Sequence, residues 1–341
     1  MRAVRFTTPG TPLIDAEVEP PELLAGHVLV QVGAAGICHS DAHYRAGRPA
    51  PSAPPVTLGH ETAGTIIAVA EGGPAGRIGE KVAVHYVVSC GACAACLRDR
   101  EQFCDSYEMI GNTIDGGYAE LLAVPERNAI RIPDSVPLEQ AAVMMCSTVT
   151  ALHALNRGRL TRGESVAVFG AGGLGQSAIR LAVARGAATV FAVDIDAGRV
   201  ASAAEAGARG VLSPQSDPVA TIAATGGVDV AIDMVGSGTV MRQAIDVLRP
   251  GGRAVAVGIT ADTLRIAPYG ELIARELEVI GANDHSRTEA AEVLEMAGGR
   301  SIDIAPVVTE TIPLEALRIN EVLDRLDAFG PGMRTVILPG R

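Results

Sequence analysis

The sequence predicts an α/β protein in which a doubly wound parallel-sheet domain is inserted into a β-rich domain. Three observations lead to this fold class. The first 150 residues alternate short apolar runs with Gly- and Pro-rich connections, which is typical of β structure. A central region then alternates strand-like and helical segments. From about residue 285 mixed helix and strand return, and the chain closes with the run RTVIL.

The β-rich beginning contains several strand-like runs. They are GHVLVQVGAAG, TAGTIIAVA and EKVAVHYVV, and connections such as GRPAPSAPP separate them. Near residue 140 the pattern changes, because the segment LEQAAVMMCSTVTALHAL is apolar and largely helical in character. We expect this helical segment to lead into the second domain.

The central region alternates strands with helices. Its predicted strands are ESVAVFG, ATVFAVD, VDVAIDMVG, RAVAVGI and LEVIGA, and its predicted helices are LGQSAIRLAVARG, AGRVASAAEAGA and TVMRQAIDVLRPGG. Continuous apolar strands separated by helices indicate a parallel sheet that is covered on both faces. We therefore predict one domain at 148–284, inserted into a domain made of 1–147 and 285–341.

Charge and hydropathy exclude several classes of partner. Acidic residues outnumber basic ones by 39 to 28, for a formal net charge of −11. Nucleic acids and anionic membranes need a basic protein surface, so we expect neither as a partner. The start MRAVRFTTPG lacks the apolar core of a signal peptide, and no apolar run reaches the roughly 18 residues of a membrane span. These features predict a cytoplasmic protein.

A glycine-rich turn stands between the first strand and the first helix of the central region. Gly170, Gly172 and Gly175 follow the G-x-G-x-x-G spacing, with Gly173 and Leu174 between the last two. In this pattern the first glycine makes the tight turn, the second lets the backbone approach a pyrophosphate, and the third allows close helix–strand packing. The helix N-terminus adds amide donors and positive potential. The turn therefore predicts a Rossmann dinucleotide-binding domain.

A carboxylate follows at the distance that this motif requires. Asp194 ends the second strand, nineteen residues after Gly175. It can accept hydrogen bonds from both hydroxyls of the adenosine ribose, and it would repel the 2′-phosphate of NADP. We therefore predict NAD(H) as the cofactor. The alternative is that Asp194 only caps the next helix, and Arg199 nearby could soften the preference against NADP.

Four of the six cysteines lie in the stretch CGACAACLRDREQFC, at Cys90, Cys93, Cys96 and Cys104. Cytosolic thiols are kept reduced, so clustered cysteines favour a metal or catalysis over disulfides. A ferredoxin run would place the fourth cysteine three residues on and before a proline, whereas here it follows seven residues and precedes Asp105. Because four thiolates around zinc leave no open position, we predict a structural zinc site in a lobe at about 90–104.

A second group of possible ligands is scattered along the chain. Cys38 lies in GICHSDAHY, His60 in GHE, and Cys146 in MCSTVTALHAL. Two thiolates and one imidazole suit Zn²⁺ with a fourth position open to water or substrate. The three residues could equally be two small core cysteines and a buried histidine. The residues alone favour neither the zinc site nor the core interpretation.

The complete set of motifs resembles a known family. The segments are GICHSDAH, GHE, the four-cysteine lobe, CSTVTALHAL, GAGGLG with Asp194, and the terminal RTVIL. In this order they resemble the zinc-dependent alcohol dehydrogenases of the medium-chain dehydrogenase/reductase superfamily, over essentially the whole chain. The resemblance implies a GroES-like catalytic domain that carries an inserted Rossmann NAD-binding domain. It also implies interconversion of a primary or secondary alcohol and its aldehyde or ketone.

The resemblance assigns roles around the scattered ligands. Cys38, His60 and Cys146 match the ligands of a catalytic zinc. Glu61 matches a carboxylate that approaches the metal during ligand exchange, with a buried salt bridge as its alternative role. Asp41 matches the carboxylate that orients the ligand histidine.

The resemblance also implies a proton relay and cofactor contacts. Ser40 matches the hydroxyl that takes the substrate proton, and His43 matches the outer end of the relay to solvent. His39 matches a position that faces the cofactor pyrophosphate. Thr150 matches a contact near the nicotinamide, and Arg334 a contact to the pyrophosphate.

From the resemblance we expect two Zn²⁺ per chain, NAD(H), a small-molecule substrate and a homo-oligomer, with a tetramer favoured over a dimer. A polyol (sorbitol-type) dehydrogenase is one alternative, although such enzymes often have a carboxylate where this chain has Cys146. A glutathione-linked formaldehyde dehydrogenase is another alternative, but the sequence shows no clear cationic site for the glutathione carboxylates. A non-catalytic NAD-binding zinc/thiol redox sensor would not need Ser40 and His43.

His85 is expected to be a structural histidine with satisfied hydrogen bonds.

Overall fold

The structure is a computed structural model that describes residues 1–51, 54–328, 330 and 332–340. The chain divides into two compact units. The first unit comprises Met1–Val149 and His285–Arg341, and the second comprises Thr150–Asp284. Among the described residues, no helix is both long and apolar enough to cross a membrane.

The first unit is rich in β structure. Its strands are β1 Arg2–Phe6, β2 Ile14–Glu17, β3 His27–Ile37, β4 Val56–Thr57, β5 Glu61–Val69, β6 Lys81–Val84, β7 Val87–Val88, β8 Glu108–Met109, β9 Leu121–Pro125, β10 Ala129–Arg131, β17 Val308–Pro313 and β18 Arg334–Leu338. The largest sheet has the order β10-β6-β5-β3-β18-β17, and β9 also pairs with β3. Apolar side chains on this sheet, including Val30, Ile66 and Ile337, form the core of the unit.

Helices of the first unit follow or flank these strands. They are α1 His39–Arg45, α2 Leu138–Val143, α8 Arg287–Gly298 and α9 Ala316–Asp327. A π-helical turn, Met144–Thr148, connects α2 to α3, which spans Val149–Arg157. The apolar segment near residue 140 is therefore helical, as its sequence predicts, with one widened turn inside it.

The second unit is a parallel sheet with helices between its strands. The strands are β11 Ser165–Phe169, β12 Thr189–Asp194, β13 Arg209–Leu212, β14 Val228–Asp233, β15 Leu248–Ala256 and β16 Glu278–Gly281, and the helices are α4 Gly173–Ala184, α5 Ala197–Glu205, α6 Pro218–Ala223 and α7 Gly238–Asp246. The strand order is β13-β12-β11-β14-β15-β16. Every adjacent pair is parallel. This is the doubly wound order of dinucleotide-binding folds, and it confirms the predicted fold class.

Two details of the second unit differ from the sequence prediction. The predicted helix TVMRQAIDVLRPGG ends at Asp246, and its last five residues belong to β15. Pro250 lacks an N–H to continue a helix and Gly251 has a positive φ of 76°, so the chain turns into the sheet here. Strand β13 and helix α6 were not predicted, because a strand of four residues and a helix of six carry little periodicity.

Candidate functional site

The first cluster of possible metal ligands lies at the start of α1. Cys38 occupies the N-cap position, directly after β3. Cys38, His60, Glu61 and Cys146 each offer a ligand atom, and these atoms all lie within 4.8 Å of one another. The Cys38 and Cys146 sulfurs are 3.9 Å apart. Zinc–sulfur bonds of about 2.3 Å in tetrahedral geometry place two sulfurs about 3.8 Å apart, so the cluster fits this ion.

Local backbone structure explains why Cys146 reaches the cluster. It lies in the middle of the π-helical turn between α2 and α3. Such widened turns are rare and frequently mark functional positions, because they change the direction in which a side chain points. Hydrogen bonding with Cys146 lowers the pKa of Cys38 well below the usual thiol value. The pair is therefore disposed to carry the negative charge that a metal requires.

A buried carboxylate lies beside the histidine of this cluster. Asp41 Oδ1 lies 3.3 Å from His60 Nδ1, and both side chains are at most 1% exposed. Asp41 Oδ2 accepts hydrogen bonds from the Cys38 N–H at 2.9 Å and the Tyr118 hydroxyl at 2.8 Å. Burial opposes the charged imidazole, yet Asp41 and Cys38 raise the pKa of His60 to about 10. Nε2 is thus the nitrogen left for a proton or a metal ion.

The fourth member of the cluster is engaged in an ion pair. The Arg334 guanidinium contacts the Glu61 carboxylate, and both side chains are buried. This is the alternative role that the sequence analysis gave to Glu61. Arg334 was expected to contact a pyrophosphate, and the structure pairs it with Glu61 in the first unit. A buried pair of this kind leaves an uncompensated charge if either member is removed.

The predicted relay residues lie on α1 beside the cluster. Ser40 Oγ is 3.7 Å from Cys38 Sγ. Ser40 and His43 are three residues apart, so they share one face of the helix. The His39 and His43 rings meet edge to face, with centroids 4.8 Å apart. Burial and the neighbouring His43 lower the pKa of His39, which favours a neutral His39 ring.

The second cluster is the four-cysteine lobe. Its four sulfurs lie within 4.8 Å of one another. The Cys93 and Cys96 sulfurs are 3.5 Å apart, and those of Cys90 and Cys96 are 3.9 Å apart. Backbone N–H groups point at the sulfurs, such as the Cys93 N–H at 3.3 Å from Cys90 Sγ. The N–H of Cys96 lowers the pKa of Cys93 to about 6. Four thiols with amide donors fit a tetrahedral zinc.

The lobe is fastened to the N-terminus of α8, which the sequence analysis did not anticipate. Asp99 accepts hydrogen bonds from the Ser286 hydroxyl at 2.9 Å and the Thr288 hydroxyl at 2.8 Å. Glu101 accepts the Arg287 N–H at 3.0 Å. Two carboxylates at the positive end of a helix are favourable in charge as well as in hydrogen bonding. We call these contacts the lobe clamp.

The glycine-rich turn of the second unit has the shape that its spacing predicts. A Cβ built on Gly175 would overlap the Gly170 carbonyl oxygen, so only glycine permits this approach of α4 to β11. A Cβ on Gly172 would meet no described atom within 4 Å, which leaves the backbone open to a ligand. Gly173 and Leu174 open α4, so their N–H groups belong to its first turn. The turn therefore fits a pyrophosphate.

Asp194 lies at the carboxyl end of β12, beside this turn. Its carboxylate accepts the Ala171 N–H at 2.6 Å and the Asp196 N–H at 2.9 Å. The cap of α5 is Asp196, whose side chain accepts the Arg199 N–H at 2.8 Å. The alternative interpretation of Asp194 as the helix cap is therefore wrong. Arg199 lies in the first turn of α5, and Thr150 lies in the first turn of α3.

One histidine differs from expectation. His85 is 1% exposed, and within the described part of the chain neither of its ring nitrogens has a hydrogen-bond partner. Its ring packs against Tyr86 and His285, and Tyr86 in turn meets His60 edge to face at 5.2 Å. Burial lowers the pKa of His85 to about 3, so the ring is neutral. The prediction of a hydrogen-bonded histidine was wrong, because an apolar strand pattern does not reveal polar partners.

Two domain families and several known proteins match this chain. The alcohol dehydrogenase GroES-like domain matches residues 24–134, and the zinc-binding dehydrogenase domain matches residues 173–298. A NAD-dependent alcohol dehydrogenase of Saccharolobus solfataricus is 33% identical over 99% of this chain and 100% of its own.

Solved structures extend the comparison. An alcohol dehydrogenase from Thermus sp. ATN1 superimposes with a TM-score of 0.91 at 30% identity, covering 99% of each chain. A zinc-binding dehydrogenase from Sinorhizobium meliloti, solved bound to NADP, also has a TM-score of 0.91, at 28% identity and 99% coverage of both chains. The chain is an oxidoreductase of two-domain architecture. It belongs to the zinc-binding alcohol dehydrogenases of the medium-chain dehydrogenase/reductase superfamily.

Proposed function

We propose that the protein interconverts a primary or secondary alcohol and its aldehyde or ketone, with zinc at Cys38, His60 and Cys146 and with NAD(H) as hydride carrier. One observation carries the proposal. The ligand atoms of these residues and of Glu61 lie within 4.8 Å of one another in a mostly buried site, and the Ser40 hydroxyl is beside them. Zinc held by three protein ligands supplies Lewis-acid chemistry to a substrate oxygen.

The chain's own residues then handle the proton. Ser40 would accept the substrate hydroxyl proton, because its Oγ lies 3.7 Å from Cys38 Sγ at the edge of the ligand set. His43, on the same face of α1, would deliver that proton to solvent, since an imidazole can both accept and donate a proton. Asp41 would keep the His60 ring in the orientation that turns Nε2 to the metal. Glu61, paired with Arg334, would balance charge during ligand exchange.

NAD rather than NADP is proposed because of Asp194. A bound nicotinamide dinucleotide supplies the hydride chemistry. The Asp194 carboxylate lies at the end of β12, where it would accept ribose hydroxyls and repel a 2′-phosphate. Arg199 close by could partly offset this repulsion. The two similar proteins differ in the same respect, since one is NAD-dependent and the other was solved with NADP.

A second zinc is proposed in the lobe, held by Cys90, Cys93, Cys96 and Cys104. Four thiolates leave no position for substrate, so this zinc would be structural. We further propose a catalytic domain of 1–147 and 285–341 and a nucleotide-binding domain of 148–284. His39, Arg334 and Thr150 remain proposed cofactor contacts. Among the described residues, no observation favours either alternative, a polyol dehydrogenase or a redox sensor, over this reaction.

We also propose a cytoplasmic homo-oligomer, with a tetramer favoured over a dimer. All six cysteines are free thiols, which suits a reducing compartment. In the described part of the sheet, β16 is an edge strand, and its Val279 is exposed. An edge strand offers unpaired backbone groups to another chain. Sedimentation of the purified protein measures the number of copies.

The test combines metal analysis with an activity panel. The purified protein is assayed with NAD⁺ and NADP⁺ against primary, secondary, allylic, aromatic and polyol alcohols, and its zinc content is measured. We expect two zinc ions per chain, alcohol-dependent NADH formation, and faster turnover with NAD⁺ than with NADP⁺. Cys38→Ser should lose one zinc and at least about 10³-fold in turnover, because the metal set is broken.

Cys93→Ser is the matched control, since it makes the same change in the lobe. It should also lose one zinc yet keep measurable turnover. Substantial alcohol oxidation by Cys38→Ser would contradict the assignment of the catalytic site. A parent protein that turns over no alcohol, polyol or carbonyl substrate, while binding both zinc and dinucleotide, would favour the sensor instead.

A further inference from the structure

Asp233 lies where the order of strands in the second unit reverses direction. It is the last residue of β14, and it pairs in register with Phe169, the last residue of β11. Gly170 follows Phe169 directly and begins the glycine-rich turn. In doubly wound sheets, ligands bind beyond the carboxyl ends of the strands at this reversal point. Asp233 therefore lies beside the turn, and neither its spacing nor any motif singles it out in the sequence.

The Asp233 carboxylate organises the loop that follows it. The residue is 2% exposed. Its Oδ1 accepts the N–H groups of Val235 at 2.8 Å and Gly236 at 3.1 Å, and Oδ2 accepts the N–H of Ser237 at 3.4 Å. Burial raises the pKa of Asp233, while these three donors oppose the rise. A buried carboxylate with three backbone donors holds the loop 234–237 in one shape.

The same loop packs against the glycine-rich turn. The Met234 N–H donates to the Phe169 carbonyl at 2.9 Å. Gly170 has a positive φ of 90°, and a Cβ built on it would lie 2.7 Å from Val235 Cγ2. The Val235 side chain thus closes one side of the turn at its first glycine. Any movement of the loop would change the surroundings of the backbone that is expected to approach the pyrophosphate.

We propose that Asp233 is a positioning residue of the dinucleotide site, which holds Val235 against Gly170 and so maintains the shape of the phosphate-binding turn. The proposal rests on the proposed use of a nicotinamide dinucleotide. It differs from a purely structural role, in which loss of the carboxylate would lower stability and leave dinucleotide affinity unchanged. The two roles separate when affinity and stability are measured on the same variants.

The chain offers a matched control for this separation. Asp217 caps α6 in the same unit, where its carboxylate also accepts two backbone N–H groups, from Val219 at 2.9 Å and Ala220 at 3.3 Å. Its contacts are with α6 and not with the glycine-rich turn. Asp217→Ala should therefore lower the unfolding temperature through loss of a helix cap, with no change in NADH affinity.

The experiment measures the NADH dissociation constant by the fluorescence of bound NADH, together with thermal unfolding, for the full-length, zinc-loaded protein. Asp233→Ala should raise the dissociation constant about tenfold, because three backbone N–H groups lose their acceptor and the loop rearranges. Asp233→Asn keeps one acceptor oxygen for Val235 and Gly236, so it should raise the constant only about threefold. The emission of bound NADH should also shift in Asp233→Ala and not in Asp217→Ala.

An unchanged NADH dissociation constant in Asp233→Ala, with a fall in unfolding temperature like that of Asp217→Ala, would overturn the positioning role. If Asp233→Ala does not fold, Asp233→Asn decides, and an unchanged constant there has the same meaning. A parent protein that binds neither NADH nor NADPH would overturn both this inference and the proposed cofactor. Tight binding by the parent and by Asp233→Ala would overturn the inference alone.

Discussion

The two cysteine clusters of the first unit are built in opposite ways. The lobe draws four cysteines from one stretch of fifteen residues, and Cys90 is exposed. The other cluster joins Cys38 and Cys146, which are 108 positions apart, with His60 between them. His60 and Glu61 are at most 1% exposed. One cluster is therefore local and partly exposed, and the other is assembled by the tertiary fold and mostly buried.

This difference decides what supports each cluster. In the lobe, backbone N–H groups such as that of Cys93 point at the sulfurs, so short-range geometry stabilises the thiolates. In the buried cluster, the charged groups are balanced by side chains from other segments of the chain. Asp41 lies beside His60, and Arg334 pairs with Glu61. Charges out of water need specific partners, whereas exposed thiolates are solvated. We therefore expect the buried cluster to be far more sensitive to changes in neighbouring side chains.

The largest effect should come from the buried ion pair. Arg334→Met leaves the Glu61 carboxylate buried without its partner, which should lower the free energy of unfolding by about 3–5 kcal/mol. The double variant Glu61→Gln/Arg334→Met should recover most of that loss. Denaturant unfolding of the cofactor-free protein measures both.

The pair Arg2–Glu120 is the control for this cycle, because its side chains are 50% and 36% exposed. Arg2→Met should lower the free energy of unfolding far less than Arg334→Met, because water screens the exposed pair. If Arg334→Met and Arg2→Met lower the free energy of unfolding equally, burial does not make the loss of a partner more costly for the Glu61–Arg334 pair.

A smaller effect is expected from Asp41, whose carboxylate lies 3.3 Å from His60 Nδ1. Asp41→Asn replaces the carboxylate by an amide, so zinc affinity at the buried cluster should fall about 10–100-fold. Competition with a chelator measures this loss. Asp105→Asn, next to Cys104 in the lobe, is the matched control and should leave both affinities unchanged. If the two variants lose zinc alike, the contrast between the clusters fails.

The smallest effect should come from the lobe clamp. Asp99→Asn/Glu101→Gln weakens the acceptors of Ser286, Arg287 and Thr288. Hydrogen exchange of the first-turn amides of α8 should accelerate about tenfold, because local opening becomes easier while the global fold persists.

Asp105→Asn/Glu108→Gln makes the same chemical changes elsewhere near the lobe and is the control for the clamp. It should leave the exchange of α8 unaltered. Unchanged exchange in the clamp variant would mean that the lobe does not hold this helix, and zinc content measured in parallel would tell whether the lobe itself stayed intact.

Much of the fold could be predicted because its signals are local. The strand–turn–helix context of Gly170, Gly172 and Gly175 predicted a dinucleotide-binding parallel sheet, and the structure shows a parallel sheet with the doubly wound strand order. The predicted helix overran the end of α7 into β15, where Pro250 and Gly251 turn the chain. Strand β13 was not predicted, because its four residues carry weak periodicity. Such segments take their structure from the sheet they join, which one sequence does not display.

The predicted ligands came from two kinds of argument. Spacing alone grouped the four lobe cysteines, whose sulfurs do lie together. For Cys38, His60 and Cys146, the residues alone did not favour metal ligands over core residues. Only the resemblance to a family favoured metal ligands. Their proximity in the structure depends on β3, on β5 and on a π-helical turn, which are remote from one another in sequence.

The sequence by itself determined the fold class, the family and the residue types available for metal and dinucleotide, because these depend on periodicity and on short motifs. Tertiary structure alone decided which side chains meet. It paired Arg334 with Glu61, left the His85 nitrogens without partners among the described residues, clamped the lobe to α8, and set Asp233 beside Phe169. Burial and long-range contacts determine the free energy of charged and polar groups. Neither can be predicted from a short stretch of sequence.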